Sequence, residues 1–107
     1  MPPVASVGMV LEHAHITIRP GTADEFEDAV LRARSIIAAS EGFVSLELHR
    51  GIEEPHRYLL LVEWDSLDDH VIGFRQSEAF PRWRALIGPY FESPPLVDHF
   101  APVDDLI

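Results

Sequence analysis

The segment YLLLVEW at residues 58–64 constrains the fold of this 107-residue chain more than any other feature. It is rich in residues that favour β-strands, and residues 59–62 are apolar at consecutive positions, so both faces of the predicted strand require cover. A layer of helices covers only one face of a sheet. We therefore expect a second copy of the chain to cover the other face, which predicts a homodimer.

The remaining segments predict an α+β domain with a four-stranded antiparallel sheet. Strands are predicted at residues 9–18, 42–50, 58–64 and 96–101, and helices at 22–39, 66–74 and 77–90. This order is the split βαβ pattern of ferredoxin-like folds, with helices on one face of the sheet. We assign residues 9–101 to this domain, residues 1–8 to a flexible N-terminus and residues 102–107 to a C-terminal tail.

Alternation of side chains separates the two faces of the predicted sheet. Val44, Leu46 and Leu48 are predicted to point toward the helices, and Glu12 interrupts the apolar face of the first strand. The opposite face is predicted to carry His13, His15, Ser45, Glu47, His49, Leu59, Leu61 and Glu63. That face has too much apolar surface to remain in water, so we place the dimer interface there.

Composition excludes several classes of partner. With 18 acidic and 8 basic residues, the formal net charge is −10, which repels nucleic acid. The chain has no cysteine, so disulfides and thiolate metal sites are impossible, and we expect a cytoplasmic protein. We expect no membrane association, because no apolar run approaches the roughly 20 residues that span a bilayer. We also expect no nucleotide cofactor, because the chain has no glycine-rich phosphate loop.

Histidines on the outer strand face raise the question of a metal site. His13 and His15, two positions apart, can coordinate zinc or copper together with His49 or Glu47 on a neighbouring strand. No metal-binding spacing motif accompanies them, which favours polar residues of a subunit interface. We predict no metal.

The helical part of the chain carries the candidate catalytic residues. His70 is either a general base between helices and sheet or an exposed histidine beside Asp68 and Asp69. Five aromatic residues form either the wall of a cavity or ordinary core: Phe74, Phe80, Trp83, Tyr90 and Phe91. Three arginines near them are candidates for binding an anion or for a solvated surface: Arg75, Arg82 and Arg84.

Several short segments resemble the antibiotic biosynthesis monooxygenase (ABM) domain family. They are RPG at 19–21, EEP at 53–55, YLLLVEW at 58–64, SLDDH at 66–70, GFRQS at 73–77, WR at 83–84 and VDHF at 97–100. The resemblance implies a dimeric α+β barrel. It also implies oxygenation of a polyphenol or quinol without metal or flavin, with the substrate anion supplying electrons to dioxygen.

The resemblance also implies roles for particular residues. The candidate catalytic residues are His70 and His99 as bases and Arg75 and Arg84 as anion stabilisers. The candidate substrate contacts are Phe74, Phe80, Trp83 and Tyr90, whereas Trp64 is interpreted as packing. Many ABM members have a histidine where this chain has Phe74, so His70 is its substitute here. The haem-degrading branch has Asn, Trp and His where this chain has Ala14, Phe74 and Arg84, which argues against haem breakdown.

Three functions remain open at this stage. The first is a cofactor-independent monooxygenase acting on a small aromatic substrate. The second is a non-catalytic or stress-related dimer that binds a small molecule. The third is a lyase, cyclase or isomerase acting on a related anionic substrate.

Overall fold

The computed structural model describes residues 9–103, and the predicted flexible N-terminus at 1–8 and most of the predicted tail lie outside the described residues. The strands are β1 (Val10–Thr17), β2 (Phe43–Arg50), β3 (Arg57–Trp64) and β4 (Leu96–Phe100). The helices are α1 (Ala23–Ala38) and α2 (Ala79–Ile87), with a π-helical segment at Asp69–Phe74 and a 3-10 turn at Gly88–Tyr90.

The four strands form one antiparallel sheet in the order β2-β3-β1-β4. This order and the helices between the strands confirm the predicted α+β, ferredoxin-like fold. Glu12, the third residue of β1, lies opposite His99 of β4 and opposite Val62 of β3. Directly paired residues project from the same side of a sheet, so Glu12 and His99 share its helix-covered side.

The core lies between this side of the sheet and the two helices. Helix α1 buries a stripe of residues at three- and four-residue steps: Phe26, Ala29, Val30, Ala33 and Ile37. Strand β3 contributes Tyr58, Leu60, Val62 and Trp64, all of them buried. Leu59 and Leu61 project to the other side of the sheet and are half-buried in the single chain.

The prediction that Val44 points toward the helices is wrong, because β2 contains a β-bulge between Phe43 and Ser45. Phe43 pairs with Trp64 and packs edge-to-face against its indole, with ring centroids 6.0 Å apart. The extra residue of the bulge is Val44, which is 46% exposed. Leu46 and Leu48 pack against the core as predicted.

The predicted helix over 66–74 is shorter and wound differently from an α-helix. Its π-helical turn places the amide of Arg75 2.9 Å from the carbonyl oxygen of His70, five residues earlier. Before it, Ser66 Oγ accepts a hydrogen bond from the Asp69 amide at 3.1 Å. No helix of the described residues is long and apolar enough to cross a membrane.

Candidate functional site

A cavity of about 180 Å³ lies between the helix-covered side of the sheet and the helices. Its floor is formed by β1 and β3, and its walls by the π-helical segment, α2 and the chain leading to β4. The lining residues are Glu12, Ala14, Ile16, Leu60, His70, Arg75, Phe80, Trp83, Arg84, Ile87, Phe91, Pro94, Pro95 and Val97. The walls are mostly apolar with a few convergent polar groups, which is the usual character of a small-molecule site.

Glu12 is the unexpected member of this lining. The two-residue period of β1 places it on the same side as Val10 and Ala14, so its carboxylate enters the cavity and is only 6% exposed. A carboxylate in such a place requires polar partners. Those partners come from three other elements of the fold.

The partners form a continuous line of polar contacts, which we call the acid–base network: Trp64, Glu12, His70 and His99. Trp64 Nε1 donates a hydrogen bond of 3.0 Å to Glu12 Oε1. Nε2 of His70 lies 3.3 Å from the same oxygen. Nδ1 of His70 is hydrogen-bonded to Nε2 of His99 at 2.8 Å. The pairing of β1 with β3 and with β4, together with the π-helical segment, thus brings together residues that are far apart in sequence.

The π-helical segment fixes the position of His70. The imidazole stacks on the Trp64 indole, with centroids 5.2 Å apart and planes 20° apart, and is 3% exposed. Gly42, with a φ of +84°, lies against the start of this segment, and a Cβ there would overlap the Asp69 side chain. Glycine at position 42, directly before β2, therefore lets the start of that strand lie close to the segment that carries His70.

Burial raises the pKa of the acid in the network and lowers the pKa of its two imidazoles, because it disfavours the charged form of each group. Burial raises the pKa of Glu12 from 4.5 to about 7, against the lowering effects of the Trp64 hydrogen bond and the Arg75 charge. Burial, followed by the charges of His99 and Arg75, lowers the pKa of His70 from 6.5 to about 4. The pKa of His99 is lowered by burial and Arg75 and raised in part by Asp98. Near neutral pH the imidazole of His70 is therefore uncharged, and Glu12 is the group that exchanges a proton.

Both arginines that the sequence predicts as anion stabilisers line the cavity. Arg84 lies above the Phe80 ring at 5.9 Å and above the Phe91 ring at 5.5 Å, measured from the guanidinium carbon to each centroid. Arg75 enters the cavity from the end of the π-helical segment. Arg82, the other candidate among the three arginines near the aromatic cluster, is not among the lining residues. All three arginines are exposed in the single chain.

The predicted aromatic contacts divide into two groups. Phe80 and Trp83 line the cavity. Phe74 lies behind them in the core, 1% exposed, with its ring edge-to-face to Phe80 at 5.5 Å. Tyr90 lies outside the lining and packs edge-to-face on Phe26 at 6.2 Å, because the 3-10 turn carries it toward α1.

Sequence reasoning missed three residues of this site. Glu12 stands out in the sequence as a charge on the apolar face of a strand. The sequence indicates only a packing role for Trp64, whereas its ring nitrogen donates a hydrogen bond to Glu12. Phe91 was noted in the aromatic cluster but not among the expected substrate contacts. An acid on the apolar face of a predicted strand was the available signal, because such a group needs a partner once it is buried.

The histidines of the outer face lie apart from this cavity. His13 and His15 have ring centroids 6.4 Å apart, and His13 packs on Phe100 at 4.4 Å. His49 Nε2 lies 2.9 Å from Glu47 Oε1. Among residues 9–103, no three His, Cys, Asp or Glu side chains gather as a metal-binding group.

The fold and the cavity together define a ferredoxin-like α+β domain with a buried acid–base network beside an aromatic wall. The family model for antibiotic biosynthesis monooxygenase matches residues 9–86, and the chain belongs to this family. This confirms the resemblance drawn from the sequence.

Two relatives share 43% of their aligned residues with this chain. One is the uncharacterized protein YczJ of Bacillus subtilis (strain 168), aligned over 95 residues that make up 89% of this chain and 100% of YczJ. The other is a crystal structure from Bordetella bronchiseptica assigned as an antibiotic biosynthesis monooxygenase, with a TM-score of 0.87 over 90% of this chain and 98% of that one.

A more distant structure shows the same fold. SnoaB of Streptomyces nogalater, a cofactor-independent oxygenase, is 20% identical, with a TM-score of 0.75 over 92% of this chain and 97% of SnoaB. At this identity the likeness concerns the fold alone.

Proposed function

We propose that this protein is a cofactor-independent monooxygenase that oxidises a small phenol or quinol in the cavity. The main support for the proposal is that an aromatic wall, two guanidinium groups and a buried acid–base network meet in one cavity. Membership of the family supports an oxygenase, and the contents of the cavity support a substrate that must lose a proton.

The size of the cavity narrows the class of substrate. Its volume of about 180 Å³ is below the range of roughly 300–1,000 Å³ that is usual for drug-sized ligands. A substrate of one or two rings fits this space better than a tricyclic anthrone. Simple hydroquinones are therefore the first substrates to test.

The reaction needs a base and a site for an anion. Removal of a hydroxyl proton from a hydroquinone gives a phenolate, which transfers an electron to dioxygen. A C–O bond then forms at the neighbouring ring carbon, and the O–O bond breaks as the second oxygen leaves as water. Hydroquinone and dioxygen thus give a hydroxyquinone and water, and the four electrons that reduce dioxygen all come from the ring.

Each part of the cavity has a role in this scheme. The guanidinium groups of Arg84 and Arg75 stabilise the phenolate, for which a forked cation is well suited. Phe80 and Trp83 contact the ring of the substrate. The acid–base network accepts and returns the proton. The apolar remainder of the wall keeps water from the reactive anion.

We also propose that the protein acts as a homodimer through the outer face of the sheet. Apolar side chains on that face include half-buried Leu59 and Leu61 and the 50% exposed Phe100. The sheet of a second copy is the partner of matching shape and chemistry. Strand β3, apolar on both sides, is then covered on both.

Dioxygen uptake tests the proposed function. The chelator-treated protein is assayed with simple hydroquinones and with anthrone, each corrected for autoxidation, beside the double variant Glu12→Gln/His70→Asn. The matched control is Glu54→Gln/His56→Asn, the same chemical change at an exposed carboxylate–imidazole pair in the β2–β3 loop, 3.9 Å apart. We expect uptake in the wild type and the control and its loss in the double variant of the network.

The same assay separates the other two functions. Product that forms without dioxygen identifies a lyase, cyclase or isomerase that uses the network for proton transfer alone. Saturable binding of a quinol without any turnover identifies a binding protein. Either result contradicts the proposed oxygenase. Uptake that survives loss of the network contradicts only the role of the network as the proton acceptor.

A further inference from the structure

We infer that Glu12 is the catalytic base of the site, that its carboxylate takes the substrate proton directly, and that His70 is a positioning residue. The inference rests on the proposed function, because it names the group that forms the phenolate. It replaces the sequence-based assignment of His70 as the base.

The contacts of His70 argue against its acting on the substrate. One ring nitrogen, Nδ1, is hydrogen-bonded to His99, and the other, Nε2, lies 3.3 Å from Glu12. The ring face is stacked on Trp64. Both nitrogens are thus occupied within the network, and an imidazole in this position must break a contact before it can receive a proton from a ligand.

The carboxylate of Glu12 has the opposite arrangement. Its two polar contacts, from Trp64 and His70, both involve Oε1. No hydrogen bond from a described residue reaches Oε2, and Glu12 lines the cavity. One oxygen therefore holds the side chain in place, and the other is free to meet a hydroxyl group of the substrate.

The charges around Glu12 support proton acceptance at neutral pH. Trp64 of β3 and His70 of the π-helical segment contact Glu12, and the charge of Arg75, at the end of that segment, acts on it. His99 of β4 is its neighbour across the sheet, and Arg84 of α2 borders the same cavity. Burial outweighs the cations and raises the pKa of Glu12 to about 7, whereas the pKa of His70 is lowered to about 4. The carboxylate is thus the better matched base, since a base acts best when its pKa lies near the working pH.

The proton balance of the step is simple. The carboxylate of Glu12 and the substrate hydroxyl become a carboxylic acid and a phenolate. The acid later returns the same proton to the oxygen that leaves as water. His70 and His99 remain neutral throughout and hold Oε1 in place.

Binding of 4-cyanophenol, a weaker acid than the Glu12 carboxyl, tests the inference without dioxygen. The pH is set just above 7, where the free probe is mostly un-ionised and Glu12, with a pKa of about 7, is mostly ionised. Ultraviolet difference absorbance reports formation of the bound phenolate, and infrared difference spectra distinguish a protonated carboxyl group from an imidazolium ring. We expect phenolate together with a protonated carboxyl band. That band is lost in Glu12→Gln, remains in Glu12→Asp and is unchanged in Glu54→Gln.

Three results overturn the inference: no phenolate on binding to the wild type, an imidazolium band in place of the carboxyl band, or a carboxyl band that survives in Glu12→Gln. The His70→Asn variant adds a second criterion. Phenolate and carboxyl band both persist in it if His70 only positions Glu12, and loss of both from a folded variant contradicts that role.

The two proposals fail separately. A protein that ionises 4-cyanophenol through Glu12 but consumes no dioxygen with quinols retains this base and is not an oxygenase. A protein whose dioxygen uptake does not depend on Glu12 is an oxygenase with another base.

Discussion

The indole of Trp64 donates a hydrogen bond of 3.0 Å to the carboxylate of Glu12, and the two side chains, on neighbouring strands, are 0% and 6% exposed. A tryptophan at the end of a strand resembles simple packing, yet here it is the donor that makes a buried acid tolerable. Because the hydrogen bond favours the ionised form, it also restrains the upward shift in the pKa of Glu12.

Replacing Trp64 with Phe should therefore change both stability and titration. We expect the free energy of unfolding to fall by about 1–3 kcal/mol, because a buried carboxylate loses its donor. We also expect the pKa of Glu12 to rise further. Urea unfolding and an infrared titration of the carboxyl band measure the two effects. Trp83→Phe removes a similar indole from the cavity wall, and an equal shift in the Glu12 pKa in that variant would contradict the role of Trp64.

The pH dependence of stability should identify Glu12 as a buried acid. Its pKa is raised from 4.5 to about 7, so the folded state holds this proton more tightly than the unfolded state. The corresponding stability is complete below pH 4.5 and is lost as the pH rises through about 7. The difference amounts to about 3–4 kcal/mol, at about 1.4 kcal/mol for each pH unit.

Glu12→Gln removes this titration and gives a clear expectation. Its unfolding free energy relative to that of the wild type should rise between about pH 4.5 and 7 and then level off. Chemical unfolding across this pH range measures the difference. In Glu54→Gln, at an exposed position, the difference should stay small and nearly constant. A constant difference for Glu12→Gln would show that Glu12 is not shifted.

Arg84 is expected to stabilise the phenolate. Replacing it with Gln should lower kcat/KM for a quinol by about a hundredfold, as does loss of a donor to a developing anion. Steady-state dioxygen uptake measures the effect. Arg82→Gln on the exposed side of α2 is the matched control and should match the wild type. Equal losses in both variants would indicate a general effect of charge rather than a contact in the cavity.

The outer face of the sheet is expected to hold the dimer together. Leu61→Glu places a charge at the centre of this face and should convert the 12.1 kDa chain from dimer to monomer in light scattering. Leu31→Glu introduces the same charge on the exposed side of α1, where Leu31 is 72% exposed, and should leave the dimer intact. A wild-type protein that remains monomeric over a wide range of concentration would contradict the proposed interface.

Much of the fold followed from local patterns. The strand at 58–64 was predictable from its short run of residues that favour β-strands. The helix after Pro20 was predictable from the period of 3.6 residues in its apolar positions. The β-bulge at Val44 and the π-helical turn before Arg75 were not. Both add a residue to a regular element, and what stabilises them is packing with distant parts of the chain.

In the site, too, some residues were predictable from local sequence patterns and others were not. His70 was predictable as a candidate because it follows a strand and precedes an aromatic cluster. Glu12 was not assigned a role because its donor, Trp64, is 52 residues away, and His70 and His99 approach from two further elements. A lone acid in a strand pattern looks like an irregularity until the sheet register places its partners around it.

Whether Glu12 is the catalytic base is best measured by the pH dependence of kcat/KM for dioxygen uptake with hydroquinone, whose hydroxyl groups stay protonated near neutral pH. If Glu12 is the base, kcat/KM rises with pH and levels off above about pH 7, the pKa of the Glu12 carboxyl. Glu12→Gln should lower the plateau by about a hundredfold to ten-thousandfold. A profile already level from pH 5 upward, or a plateau unchanged in Glu12→Gln, would show that another group is the base.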